Sequence, residues 1–262
     1  NGTDYGKFSS TNADLNIHAT VQDADVVFRG DDGGSAIEAM RIDMSEGGLV
    51  GIGNSSPSSQ LAGASNLVIG GTSDADTGMT FVTSTSGQGL IHFSDATSGD
   101  ARFDGFIGYE QNNQAMKFGT AQTERVRIAS TGATSITTTG NETTLSLVST
   151  DADASLGPVI DLHRNSSSPA DDDAIGRIIF SGENDADEKV SLVELIGLNS
   201  DVTDGTEDGR LQLFALKDGT SVNRFDIQPT ETTFNDDSVD VDFRVESNLN
   251  ANMLFLDAGN NR

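Results

Sequence analysis

Strand-length apolar stretches recur along this chain at spacings of about ten residues, with Gly, Asp, Asn and Ser clusters between them. The i, i+3, i+4, i+7 spacing of an amphipathic helix is essentially missing. Alternation or apolar runs predict strands at Leu15-Asn16-Ile17, Val26-Val27-Phe28, 40–44, 103–109, 126–128, 144–148 and 159–162. Further strands are predicted at 175–180, 190–198, 210–216, 222–227, 239–245 and 253–256. Between them, Asp-Gly and Gly-Gly pairs such as Gly33-Gly34, Gly47-Gly48, Gly70-Gly71, Asp204-Gly205, Asp208-Gly209 and Asp218-Gly219 supply the positive φ that tight hairpins require. The expected class is all-β, and the spacing suits β-sandwich, β-prism or β-solenoid modules rather than βαβ units.

Leu, Ile, Val and Phe make up 62 of 262 residues, about 24 %, only a little above the roughly 20 % that accompanies disorder. A monomer of this length would normally be richer in core formers. Regular strand patterning argues against disorder, so the few apolar residues are expected to be buried against copies of the same chain. Residues expected there include Val50, Ile52, Leu145, Leu147, Phe243 and Phe255.

The formal net charge is −26, from 41 acidic and 15 basic side chains. That balance disfavours nucleic acid and anionic lipid surfaces as partners, and it suits a setting of substantial ionic strength, such as a marine one, where screening is short-ranged. There is no cysteine, which excludes disulfides, thiolate metal sites and a cysteine nucleophile. No apolar run approaches the roughly 18 residues of a membrane span, so membrane insertion is not expected.

Internal similarity organises the chain. Glu38 and the run 39–45 (Ala-Met-Arg-Ile-Asp-Met-Ser) echo Glu124 and the run 125–131 (Arg-Val-Arg-Ile-Ala-Ser-Thr), and residues 23–29 echo 237–245. Four segments follow: a shaft or repeat module over 1–60 ending in Val50-Gly51-Ile52-Gly53, globular β modules over 61–138 and 139–235, and the start of a further shaft repeat over 236–262. Because the chain opens without methionine and stops inside that repeat, it is expected to be an excerpt of a longer polypeptide.

The run from Glu38 to Pro57, containing Met40-Arg41-Ile42-Asp43 and Val50-Gly51-Ile52-Gly53, resembles a segment common in bacteriophage tail fibres and related trimeric appendages. The stretch 66–132, with Gly108-Tyr109 and Met116-Lys117-Phe118-Gly119, resembles the globular module that usually precedes such a segment. The stretch 145–235, with its run Asp201 to Gly209, and the closing 242–247 are similar to fibre modules of marine phages. This resemblance covers nearly the whole chain. It implies an elongated homotrimeric fibre on the virion exterior, with other virion proteins and a host cell-surface glycan or protein as partners and receptor binding at a distal tip. The pattern breaks after Gly132, where residues 133–136 (Ala-Thr-Ser-Ile) replace a second Val-Gly-Ile-Gly. Alternation would point Val50 and Ile52 to one face of a strand and leave Gly51 and Gly53 bare for a neighbouring backbone; a plain buried strand with permissive glycines is the other reading.

Chemistry-bearing motifs are sparse. His18, His92 and His163 stand apart and pair with no second histidine, so a structural or exposed role is expected for each. The acidic groups Asp171-Asp172-Asp173 and 201–208 suit solvated turns; were one loop to hold calcium, Asp201, Asp204, Glu207 and Asp208 would be its ligands. That spacing matches no EF-hand. Sugar-cleaving clefts use paired carboxylates together with aromatic platforms, and this chain has no Trp and two Tyr. No catalytic residue and no cofactor is expected; a bacterial surface adhesin or a tailspike depolymerase are the alternative classes.

Overall fold

The computed structural model describes residues 6–245 and 254–256. Among these, helix is confined to three short 3₁₀ turns, and strands form five sheets distributed over two units, 1–146 and 147–262. The all-β expectation holds.

In the first unit, β1 (Gly6–Thr11) and β2 (Asp14–Ala19) make a hairpin. A four-stranded sheet follows, with β3 (Val26–Asp32), β4 (Ser35–Asp43) and β5 (Leu49–Ile52) antiparallel and β6 (Leu67–Ile69) added parallel to β5. This sheet therefore runs through the module boundary expected near residue 60. Next comes a five-stranded meander: β7 (Gln88–Phe93), β8 (Gly105–Glu110), β9 (Ala115–Thr120), β10 (Thr123–Ile128) and β11 (Thr134–Ile136). The second unit carries another such meander: β12 (Ala174–Glu183), β13 (Lys189–Asp201), β14 (Asp208–Lys217), β15 (Thr220–Ile227) and β16 (Thr232–Phe234). A short hairpin of β17 (Phe243–Val245) and β18 (Leu254–Leu256) ends the described chain.

The two meanders are copies of one another. Gly89-Leu90-Ile91-His92-Phe93 occupies the register of Gly176-Arg177-Ile178-Ile179-Phe180, since Gly89 faces Tyr109 and Ile91 faces Ile107, while Gly176 faces Gly197 and Ile178 faces Leu195. An extended segment precedes each first strand and seats one apolar side chain on that glycine. A Cβ on Gly89 would lie 3.2 Å from Phe81, and one on Gly176 would lie 2.9 Å from Leu162.

A smaller unit occurs three times: β3-β4-β5, β9-β10-β11 and β14-β15-β16. Each begins with a two-residue hairpin turn whose residues both have positive φ, at Gly33-Gly34, Ala121-Gln122 and Asp218-Gly219. Those are the torsions of the type I′ turn, which matches the right-handed twist of the strands it joins. The middle strand then carries a β-bulge, which places two residues opposite one on its partner and resets which side chains share a face. The extra residue is Ala39, Arg125 and Arg224 in turn. Its carbonyl accepts a hydrogen bond from the residue just after the third strand in all three cases: from Gly53 N at 2.9 Å, Thr137 N at 2.9 Å and Asn235 N at 3.1 Å. Ser135 of the 133–136 run stands opposite Arg127 where Gly51 stands opposite Arg41, so the break in the sequence pattern leaves the pairing intact.

Several expectations are corrected. The stretches 144–148 and 159–162 form no strand, because a strand needs a ladder partner and none is supplied by the described chain. Phe103 belongs to a 3₁₀ turn, with β8 beginning at Gly105, and the strand expected over 239–245 is reduced to Phe243–Val245. Gly51 does not leave a bare patch for a neighbouring subunit: a Cβ there would lie 2.2 Å from the carbonyl oxygen of Asn54, so the chain's own backbone fills that space. Gly53, at φ 63°, makes the reversal that brings Asn54 there.

Candidate functional site

The bulge explains the repeated sequence. In a regular strand, residues i and i+3 point to opposite faces, but with one residue bulged out between them Glu38 and Arg41 come onto the same face, as do Glu124 and Arg127. Arg41 grips Glu38 in a two-pronged pair, Nε to Oε1 at 2.7 Å and Nη2 to Oε2 at 2.9 Å, while its Nη1 donates to Asp25. Arg127 repeats this with Glu124 at 2.7 and 2.8 Å and adds Glu110 at 3.2 Å. The fork geometry of guanidinium and carboxylate makes these stronger than single contacts. Hydrogen bonding from Arg41 holds the Glu38 carboxyl below the usual range, while bonds from Asn113 and then Arg127 do so for Glu110.

The third copy inverts the charges. Asp226 takes the register position of Arg41 and Arg127, and Arg210 takes that of Asp25. Asp226 is fully buried. It accepts from Arg210 Nε at 2.7 Å and from Arg210 Nη2, from Gln212 Nε2 at 2.8 Å and from Asn223 Nδ2 at 2.9 Å. Asn223 sits where Glu38 and Glu124 sit, three residues back across the bulge. Arg210 is the main reason the Asp226 carboxyl lies below its usual range, and Asp226 raises Arg210 in return. Sequence reading missed this copy; its signal was the recurrence of apolar-charged-Ile in Met40-Arg41-Ile42, Val126-Arg127-Ile128 and Phe225-Asp226-Ile227, masked by the change of charge sign.

The opposite face of every repeat is apolar and has little over it. Cross-strand ladders run Phe28–Met40–Ile52–Ile69 in the first sheet, Ile91–Ile107–Phe118–Val126–Ile136 in the second and Ile178–Leu195–Leu213–Phe225–Phe234 in the third. Their members remain half-buried or exposed; Phe28, Ile52, Ile136, Ile178 and Phe234 retain 43 to 54 % of their surface. Fully buried apolar side chains among the described residues are few: Pro57, Ala115 and Val222. Phe81 lies over Gly89 and Leu162 over Gly176, partly covering the first strand of each meander.

Of the other sequence candidates, His18 on β2, His92 on β7 and His163 in the stretch before β12 are all exposed, with His92 6.1 Å from the Phe103 ring. Asp201 Oδ1 accepts from Thr203 N at 2.7 Å, and the amides of Glu207 and Gly205 hold the Glu207 carboxyl below its usual range. Asp171 and Asp173 bind the backbone amides of Val202 and Ala170, both at 3.0 Å. These carboxylates tie turns together, and among the described residues no three His, Asp or Glu side chains are gathered as a metal-holding group; Asp201, Asp204, Glu207 and Asp208 are not brought together as a ligand set. Val50 is half-buried, Leu145 and Leu147 are exposed, and Phe243 stacks 4.8 Å from Phe234, while the Phe255 side chain lies outside the described residues.

Comparison with protein-family models, with curated proteins and with solved structures finds no match for this chain.

Proposed function

We propose that this chain is a non-catalytic structural segment of a phage virion appendage, a tail fibre or a similar structure, which assembles as a homotrimer and spaces and presents a host-receptor-binding region. The observation that carries the reading is the recurrence of one β unit with a polar, ion-paired face and a bare apolar face. A monomeric binding domain or enzyme has no use for three such faces. A fibre does, because identical faces from neighbouring copies cover one another along its length. The sequence resemblance over 38–57, 66–132 and 145–235 points to the same class. On this reading the chain lies outside the particle. Its partners are its own copies, other virion proteins and a host cell-surface glycan or protein, with neither nucleic acid nor membrane insertion involved.

Light scattering coupled to size exclusion tests the assembly, with a mass three times 27.4 kDa expected. A folded monomer would overturn the reading. Mass spectrometry of purified virions tests the location: peptides of this chain should co-purify with tail components. Recovery instead from bacterial surface fractions free of particles would favour an adhesin.

A further inference from the structure

The uncharged run 143–150 (Thr-Thr-Leu-Ser-Leu-Val-Ser-Thr) alternates as a strand should, yet among the described residues no residue from 138 to 163 makes a backbone–backbone hydrogen bond. Leu145, Leu147 and Val148 are 60, 47 and 77 % exposed. In the single chain these backbone groups face water, and covering the apolar side chains beside them would require each to find a partner. The chain also carries an unpaired ladder, since β12 is the first strand of its sheet and its outer edge of ten residues has no partner among the described residues. Such a long, apolar edge, though its pairing with β13 is irregular near Ala174–Gly176 and Phe180–Ser181, is a template for another strand. Its ten residues include two charges, Arg177 and, at its far end, Glu183. In a chain of net charge −26, these two stretches are places where copies can meet without acidic side chains facing each other.

We infer that Thr144–Val148 of one copy adds as a strand to the free edge of β12 in a second copy, extending that copy's five-stranded sheet to six. The chain just before β12 is already held on its own sheet. Leu162 packs on Gly176, and Arg164 Nη1 donates to the Ala174 carbonyl at 3.2 Å and pairs with Asp173 at 2.8 Å. The upstream run is therefore the part left to reach a neighbour. At about 3.3 Å per residue a five-residue strand covers half of the ten-residue edge. This inference rests on the fibre reading and specifies where copies interlock.

Hydrogen exchange on the wild-type assembled chain tests it. Amides of 144–148 and the outward amides of β12 should exchange at least about a hundredfold more slowly than in a free peptide. The absence of native cysteine permits a second measurement. Chains carrying one cysteine within 144–148 are mixed with chains carrying one within 174–182 and co-assembled under mild oxidation, and covalent heterodimers are expected beyond those either chain forms alone. A trimer in which 144–148 exchanges freely would overturn the inference and leave the fibre reading standing. Protection accompanied by linkage only within a single chain bearing both cysteines would overturn it in favour of self-pairing. A monomer would remove both.

Discussion

The inverted charge pair provides a demanding test of the threefold repeat. If Arg210–Asp226 and Asp25–Arg41 occupy equivalent places, the pair in the second unit should tolerate reversal. Asp226 is fully enclosed and receives hydrogen bonds from three side chains, whereas Arg210 keeps about a fifth of its side chain exposed. Breaking a buried pair by removing one partner costs about 3–5 kcal/mol. Asp226→Asn keeps the shape and leaves an arginine that can still reach water, so about 3 kcal/mol is expected. Arg210→Asp sets a second carboxylate against one with no access to solvent and should cost about 5 kcal/mol or more. The double reversal, Arg210→Asp with Asp226→Arg, restores attraction in the polarity of Asp25–Arg41, with a coupling energy of about 2–3 kcal/mol. Adding Asn223→Glu rebuilds the Glu38 prong and should recover more, although alone it would crowd Asp226 with a like charge and destabilise. Urea unfolding followed by far-UV circular dichroism, at one fixed protein concentration because the proposed assembly would contribute to stability, measures each variant. A double reversal no more stable than the worse single variant would refute the equivalence.

Other consequences are simpler to check. Gly51→Ala should destabilise by about 2–4 kcal/mol, because its methyl would meet the Asn54 carbonyl 2.2 Å away, whereas Ser135, in the equivalent place, should accept Ala with little change in melting temperature. Ile52→Asp should leave the fold of a single chain intact, since Ile52 is 43 % exposed there, but should dissociate the assembly in light scattering. The carboxyls of Glu38, Asp43 and Asp226 are all held below their usual range, by Arg41, Ser45 and Arg210 respectively. Their contribution is therefore complete above the ordinary carboxylate pKa of about 4 and is lost as pH falls through the lowered values; thermal melts should stay level from neutral pH down to about 5 and drop below about 4, and a steep loss between 7 and 5 would contradict this. A chelator should leave the melting temperature unchanged within a few degrees, and a fall of tens of degrees would point to a structural cation.

Strand identity was legible wherever alternation met a glycine-bearing turn, as at Val26–Phe28 before Gly33-Gly34 and 210–216 before Asp218-Gly219. It was not legible at Ala121-Gln122, where two non-glycine residues take positive φ, at φ 49° and 63°. Nothing in those residue types announces a type I′ turn, because alanine gains nothing from the left-handed region. The bulges were hidden for a different reason. An i, i+3 pair of Glu and Arg reads as helix chemistry or as coincidence, and only the register shows that the intervening residue has been removed from the alternation. The apolar runs at 144–148 and 159–162 were read as strands and form none in this chain, since propensity describes the residue and pairing depends on a partner.

The two faces of each repeat do different work, and their separation reconciles a thin core with a heavy negative charge. Bringing copies together costs electrostatic energy that grows with the square of net charge, and salt relieves it only where charges face water. The structure gathers arginines and carboxylates on one face: Arg41 pairs with Glu38 and Asp25, Arg127 with Glu124 and Glu110, and Arg210 with Asp226. With those arginines committed to one face, the ladders through Ile52, Phe118 and Phe225 on the other carry no charge at all. Assembly on the apolar face therefore has to overcome only long-range repulsion between exposed acids, which falls as the Debye length shrinks from about 30 Å at 0.01 M salt to about 3 Å at 1 M. Local pairing across a bulge is thus what allows so acidic a chain to present uncharged faces, which in the proposed assembly would meet its own copies.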